Sequence, residues 1–289
     1  MHVFSRVAII GLGLIGGSVA AAIQKRKLAT HVVAYDQQRE SLKLALQQGI
    51  INSAASSITE AVSGADLVLI AVPVLTIETV LREIPQDLLI TDVGSVKQHV
   101  IEACEAVYGA VPNTLVPGHP IAGSEKHGVA AANADLFEHH KVILTPNADT
   151  DATSLEAVRN LWQGLGATVV DMSVKHHDEV LAQTSHLPHL LAYALVDTLS
   201  AQGDSMEIFQ YAAGGFRDFS RIAASDPAMW RDIFQANGPA VINILDRFLS
   251  ELGDIRELIV AGDTAGLEAV LQRAKEARDH FSELKDHRG

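Results

Sequence analysis

Val7-Ala8-Ile9-Ile10-Gly11-Leu12-Gly13-Leu14-Ile15-Gly16 decides the fold. A β-branched apolar run leads straight into G-x-G-x-x-G, and the small residues Gly17-Ser18-Val19-Ala20-Ala21-Ala22 follow. Strand, glycine turn and helix in this order are the opening of a dinucleotide-binding βαβ unit. Gly11 permits the tight turn, Gly13 lets the backbone approach a pyrophosphate, and Gly16 lets the helix pack on the strand. The free N–H groups and dipole at the helix N-terminus favour the anion. Leu12, Leu14 and Ile15 complete the segment expected against the cofactor.

Working outward, residues 31–35 read as the second strand and end at Asp36. That lies about 20 residues past the last glycine, where a carboxylate holds ribose hydroxyls and repels a 2′-phosphate. NAD is therefore the expected cofactor. Arg39 works in the opposite sense, since an arginine there accepts a 2′-phosphate. The apolar runs 67–72 and 88–93 have the continuous character of parallel strands buried on both faces. Shorter candidates lie at 115–116, 142–145 and 168–170, with helical patterns between, for example 41–48 and 76–83. Alternating β and α units predict an N-terminal Rossmann-type doubly wound sheet, with its ligand at the carboxyl ends of the strands.

After Ser173 the strand signals stop. Residues 174–202 read as one long helix that Pro188 would kink, with His186 and His189 flanking the kink. Asp226-Pro227 is a helix start, the aspartate capping and the proline filling the first turn. Helices are expected over 239–260 and 264–284. The organisation is then a dinucleotide-binding domain over 1–173 and an all-α substrate and dimerisation domain over 174–289. A helical half this rich in leucine and isoleucine is expected to bury apolar faces against a second copy, giving a homodimer.

The 289 residues are 48% hydrophobic and 20% charged, enough for sizeable cores. The net charge of −13 argues against nucleic-acid partners, although local arginines still allow a small anionic substrate. The one cysteine, Cys104, fits a reducing compartment. The residues ahead of the first strand are too few for a signal peptide, and no apolar run reaches the roughly 18 residues of a membrane span. A cytoplasmic protein with no membrane partner is expected.

Three segments are unusually polar for loops beside buried strands: Asp92-Val93-Gly94-Ser95-Val96-Lys97, the stretch from Pro117 to Lys126, and the helical region holding His186, His189, Arg217 and Arg221. A dinucleotide redox enzyme needs a group to receive the substrate's hydroxyl proton, and neutral histidine suits this near pH 7. His119 stands out, because Gly118 and Pro120 constrain its backbone at a strand end. A structural turn histidine is the other reading. Activity governed by it is expected to rise with pH around the ordinary histidine value, ~6.5. His186 and His189 share a helical face, but no further Cys, His or Glu cluster completes a metal site, so no metal is expected. Arg217 and Arg221 are four apart and suit bidentate carboxylate recognition, or salt bridges to Asp218 or Asp226. Trp230 reads as core or interface, and Cys104 as a small buried hydrophobe.

Together these segments resemble the prephenate/arogenate dehydrogenase family of tyrosine biosynthesis over nearly the whole chain. The resemblance rests on Gly11 to Ser18, Asp92 to Lys97, Gly118-His119-Pro120-Ile121-Ala122-Gly123-Ser124-Glu125, Ser185-His186-Leu187-Pro188-His189 and Gly215 to Ala223. It implies His119 as the catalytic histidine that accepts a hydrogen bond from the substrate's C4 hydroxyl, with Ser95 orienting that hydroxyl or His119. It implies His189 and Arg221 facing the substrate side chain, Ser124, Glu125 and Trp230 lining or gating the pocket, and Arg217 as a weaker candidate.

The activity implied is NAD-dependent oxidative decarboxylation of prephenate. Arogenate use and tyrosine feedback are left open. A leading chorismate mutase segment and a trailing regulatory βαββαβ region, found in some relatives, are not evident, so a monofunctional enzyme is expected. Two other readings of the residues are a β-hydroxyacid dehydrogenase and a non-catalytic nicotinamide sensor. Lys175 followed by Glu179 does not supply the K-x-x-x-N of the first, and the second leaves Ser95, His119 and Arg221 without purpose.

Overall fold

The computed structural model describes residues 4–123, 127–201 and 210–286. The fingerprint forms β1 (Phe4–Ile10), α1 (Leu14–Arg26) and β2 (Ala29–Tyr35). Then follow α2 (Arg39–Gln47), β3 (Ser53–Ala54), α3 (Ile58–Val62), β4 (Leu67–Ile70), α4 (Ile77–Leu81), β5 (Ile90–Asp92), α5 (Lys97–Tyr108) and β6 (Leu115–Val116). These six strands pair in parallel in the order β3-β2-β1-β4-β5-β6. The order reverses between β1 and β4, the position where doubly wound sheets bind ligands.

Register lines up the carboxyl ends: Ile10 lies opposite Tyr35 and Ile70, Ile70 opposite Asp92, and Thr91 opposite Val116. The glycine turn, Asp36, the turn through Ser95 and the segment after Val116 therefore emerge along one edge. The period-2 alternation of β1 serves two apolar layers. Val7 and Ile9 pack with Val19, Ile23, Phe137 and Trp162, while Ala8 and Ile10 pack with Ile77, Leu81, Val100 and Cys104.

The glycine turn is shaped by close approach. Gly11 has φ +99°, and a Cβ there would sit 2.6 Å from the Ala71 carbonyl oxygen. A Cβ on Gly16 would lie 2.0 Å from the Gly11 oxygen, so α1 starts directly against the turn. A Cβ on Gly13 would meet nothing within 4 Å.

The runs at 142–145 and 168–170, expected within the doubly wound sheet, belong to a second sheet. Its strands are β7 (Gly118–Pro120), β8 (Lys141–Leu144) and β9 (Thr168–Asp171), with α6 (Ala152–Gly164) leading into β9. β7 is antiparallel to β8, and β8 is parallel to β9. Only Pro117 separates β6 from β7. Its carbonyl accepts the Thr145 N–H at 2.9 Å, and His119 falls opposite Ile143.

Beyond β9 the described elements are helical: α7 (Val174–Leu181), a π turn (Ala182–His186), α8 (Leu187–Ser200), α9 (Gly214–Ser220), α10 (Pro227–Ala236), α11 (Gly238–Ala261) and α12 (Thr264–Asp286). The expected single kinked helix is instead two helices joined by the π turn. Pro188 has no N–H for the Thr184 carbonyl, and the wider turn absorbs the missing bond. At α10, Asp226 accepts the Ala228 N–H at 2.8 Å and Pro227 opens the helix, as the sequence predicts.

The chain forms two compact units, Met1–Val241 and Ile242–Gly289. The second holds the remainder of α11 and α12 around a Gly262 turn with φ +66°. Ile242, Ile259 and Val260 are 58%, 61% and 67% exposed. Among the described residues no helix is long and apolar enough to cross a membrane.

The glycine geometry makes a contrast to test by thermal unfolding. Gly16→Ala forces backbone apart and should cost about 3 kcal/mol. Gly13→Ala enters open space and should stay within about 0.5 kcal/mol of the parent.

Candidate active site

β5 ends in Asp92 because the carboxylate has work at the sheet edge. Its Oδ2 accepts the Gly94 N–H at 2.7 Å and its Oδ1 accepts the Gly118 N–H at 3.2 Å. The Lys97 ammonium donates to Asp92 Oδ2 and, at 2.7 Å, to the Gly118 carbonyl. Both side chains are 0% exposed. Burial lowers the Lys97 pKa, and the charge and hydrogen bond of Asp92 oppose that. The pair grips Gly118 by both its N–H and its C=O, and so places the next residue, His119.

His119 is half-buried on β7. Its Nδ1 lies 2.9 Å from Nε2 of His177 on α7, with the rings edge-on at 64°. His177 is fully buried, and its Nδ1 lies 2.7 Å from Oδ1 of Asp178. Asp178 also accepts the N–H groups of Lys97 and Gln98, each at 2.9 Å. Asn237 donates to the Asp178 carbonyl at 2.9 Å and approaches Nδ1 of buried His186 at 3.1 Å. Burial, then the charges of His177, Lys97 and His186, hold His119 well below the ordinary histidine pKa. Burial also lowers His177 and brings His186 to about 4. Burial would raise Asp178, but the hydrogen bonds from His177, Lys97 and Gln98 hold it below the usual carboxylate value. The site is thus a group of neutral imidazoles beside an ionised carboxylate. An acid limb near the ordinary histidine value, as the sequence suggests for His119, is corrected downward by this burial.

Helix α10 brings Trp230, only 6% exposed, against the histidines. Its ring stacks on His189 at 3.7 Å and 22°, and meets His186 edge-on at 6.0 Å. It also belongs to the apolar layer with Ile233, as the core reading expects. His189 Nδ1 donates to the Ser185 carbonyl at 2.9 Å, which leaves Nε2 as its acceptor. Burial lowers the His189 pKa, the Ser185 bond opposes this, and the nearby Arg221 charge adds to the lowering.

His119, His189, Trp230 and Arg221 are thus linked through His177 and His186. Arg217 is exposed on α9, and Arg221 opens the following 3-10 turn, so the two do not share one continuous α-helical face. Ser95 is half-buried in the turn between β5 and α5, and among the described residues it makes no hydrogen bond to His119. Ser124 and Glu125 lie outside the described residues.

At the other end of the edge the residues fit a dinucleotide. Gly13, with open space at its Cβ position, immediately precedes α1, whose first turn carries no acidic residue and no side-chain cap. Asp36 accepts the Leu12 N–H at 2.6 Å and the Gln38 N–H at 2.7 Å. A carboxylate has about four acceptor sites, so two remain for ribose hydroxyls. The Leu12 side chain is core, Ile15 packs against the same layer, and half-buried Leu14 opens α1, so these residues offer mainly backbone. Sequence reasoning missed His177, Asp178 and Asn237, and did not foresee the Asp92–Lys97 clamp.

Sheet order and glycine turn define a Rossmann-type dinucleotide-binding protein. The nucleotide-binding domain of prephenate dehydrogenase matches residues 19–171, and the dimerization domain of the same family matches residues 173–273. The chain is 39% identical to the cyclohexadienyl dehydrogenase of Zymomonas mobilis over 99% of each chain. It is 40% identical to the prephenate dehydrogenase of Bacillus subtilis over 94% of this chain and 75% of that one. The structure of Aquifex aeolicus prephenate dehydrogenase with hydroxyphenyl propionate and NAD+ superposes with a TM-score of 0.89 at 37% identity, covering 96% of this chain and 98% of that one. The chain belongs to the prephenate dehydrogenase family.

Depressed histidines make stability depend on pH. Below 6.5 the unfolded chain takes up protons that folded His119, His177 and His186 refuse, so stability falls with pH, for His186 down to about 4. Calorimetry from pH 7 to 4 should show Tm falling from near 6.5 downward. A flat Tm over that range would contradict the neutral cluster.

Proposed function

We propose that the chain catalyses the NAD-dependent oxidative decarboxylation of prephenate to 4-hydroxyphenylpyruvate, in tyrosine biosynthesis. The observation that carries this reading is a neutral, positioned His119 just past β6, whose carboxyl end lies along the same sheet edge as the glycine turn, in a chain of this family. When bound, NAD supplies the acceptor for the hydride leaving C4 of the substrate. Asp36 would hold the adenosine ribose and disfavour a 2′-phosphate, with the first turn of α1 against the pyrophosphate.

At the substrate, hydride leaves C4 as the C1 carboxylate departs as carbon dioxide, and the ring becomes aromatic. Charge balances without net release of a proton, because the electrons left by carbon dioxide neutralise the ring. His119 therefore needs to accept a hydrogen bond from the C4 hydroxyl as that oxygen gains positive character, which only neutral imidazole does. Ser95 is assigned to orienting that hydroxyl. Arg221 is assigned to the side-chain carboxylate, with His189 also toward the side chain, Ser124, Glu125 and Trp230 to lining or gating the pocket, and Arg217 as a weaker substrate-binding candidate. An arginine at the side-chain end avoids holding the carboxylate that must leave.

We assign residues 1–173 to dinucleotide binding and 174–289 to substrate binding and dimerisation. Exposed Ile242, Leu249, Leu252 and Ile259 on α11 support a homodimer. Arogenate differs from prephenate by an ammonium for a keto group, and dual use is a second reading, favoured by the likeness to a cyclohexadienyl dehydrogenase. Tyrosine shares the product's phenol and carboxylate and is the expected inhibitor of the same pocket. A reducing, cytoplasmic setting fits Cys104, whose thiol burial pushes up to about 12.

Following NADH formation with prephenate and with arogenate tests the activity, and a chain inert toward both would overturn it. His119→Asn should lower turnover by roughly 10²–10⁴-fold while NAD still binds. In the parent enzyme, kcat/KM should rise with pH through a limb well below 6.5 and stay level through neutrality.

Losing the charge-assisted hydrogen bonds of Arg221 to a carboxylate costs about 1.5–3 kcal/mol. Arg221→Ala should therefore raise the Michaelis constant for prephenate at least tenfold and leave that for NAD little changed. Equal effects on both would remove Arg221 from the substrate end.

A further inference from the structure

His177 and Asp178 are neither nucleotide nor substrate contacts in the reading above, yet they are among the most thoroughly bonded polar side chains in the described structure. They sit side by side on α7, 0% and 5% exposed. Every bond they make constrains where protons reside. Asp178 is a carboxylate facing three donors: the Lys97 N–H, the Gln98 N–H and His177 Nδ1. An ionised carboxylate only accepts, so His177 must carry its proton on Nδ1. Buried and neutral, His177 then has a bare Nε2, which only accepts. The His119 atom 2.9 Å away is Nδ1, so His119 must carry its own proton there. The lone pair of His119 is left on Nε2.

We infer that His177 and Asp178 are a positioning pair that fixes the tautomer of His119, making Nε2 its acceptor for the substrate hydroxyl. Free imidazole side chains in water prefer the proton on Nε2, so the opposite tautomer has to be imposed. A histidine with its proton on Nε2 would point a donor at a donor, and the hydroxyl would lose its partner as charge develops. The groups that face His119 do not disturb the assignment. His177 on α7, Lys97 on α5 and His186 on the π turn all disfavour a second proton on it, and Lys97 is itself paired with Asp92. The inference rests on the proposed role of His119, but the tautomer is a property of the free protein and can be read without substrate.

The test is nitrogen-15 NMR of histidine-labelled protein at neutral pH, with signals assigned by comparing His119→Asn and His177→Gln. His119 and His177 should each show a protonated Nδ1 and a bare, pyridine-type Nε2. A protonated Nε2 on His119 in the parent protein overturns the inference, whatever the activity data show. Kinetics supply the second arm. His177→Leu removes the acceptor and should release His119 toward the Nε2-protonated form. It should lower kcat about 100-fold and leave the Michaelis constants for prephenate and NAD within about threefold. Glutamine places an amide oxygen where His177 Nε2 stands, so His177→Gln should recover most of the lost turnover and the Nδ1-protonated signal. If leucine and glutamine variants fall equally, or lose substrate affinity instead of kcat, His177 is packing only. Should the tautomer be as inferred but His119→Asn remain fully active, the fault lies with the role given to His119 and not with the pair.

Discussion

One buried carboxylate, that of Asp178, holds the site together. α5 begins without a side-chain cap of its own, and the N–H groups of Lys97 and Gln98 in its first turn have no partner within the helix. Asp178 supplies that partner from α7, where its negative charge also suits the positive end of the helix dipole. The oxygen that accepts the Lys97 N–H, Oδ1, also receives His177 Nδ1. From this point order reaches His119 by two routes. One runs through the ring of His177. The other runs along the start of α5 into the Lys97 ammonium, which with Asp92 grips the backbone of Gly118. Ring and backbone of one histidine are thus set by a single anchor.

The arrangement has an energetic cost that accounts for its form. Taking Lys97 and Asp92 out of water costs several kcal/mol per ion, and mutual attraction only partly repays it. An apolar pair of similar volume would hold the sheet edge as firmly. It would not donate to the Gly118 carbonyl or accept from its N–H, so the ion pair is better understood as fixing position. Neutral histidines around it extend the same logic. Directional hydrogen bonds with no net charge specify geometry, and burial keeps the imidazoles in the state that makes those bonds.

The nucleotide end was legible in the sequence because its constraints are local. Turn geometry and close packing demand Gly11 and Gly16, and a strand ending in Asp36 has a fixed distance from them. Asp226 and Pro227 were legible for the same reason. His177 and Asp178 were not, because in sequence they stand within a polar run. Lys175, His176 and Glu179 around them are exposed, and only the spacing of His177 to buried Leu181, one helical turn on, marks the inward face. Asp92 left a fainter sign, a charged residue closing a strand otherwise apolar. The second sheet was illegible because β7 has three residues, one of them proline, and depends on pairing with β8.

The electrostatics of the site bear on why so many of its imidazoles are kept neutral. On the proposed reading the substrate arrives with two carboxylates and must lose one as carbon dioxide. A cation close to the departing group would bind the starting anion better than the transition state, in which that charge is moving into the ring, and would raise the barrier. On the same reading a protonated His119 would lack the lone pair offered to the C4 hydroxyl, and a protonated His177 or His186 would put a cation beside it. Burial removes the possibility near neutrality, and Lys97 is offset by Asp92 within hydrogen-bond reach. The positive charge assigned to the substrate is then Arg221, which is exposed and whose influence falls on His189. Attraction for the substrate and chemistry at its ring are in this way assigned to different residues. The affinity of Arg221 for one carboxylate need not oppose the departure of the other.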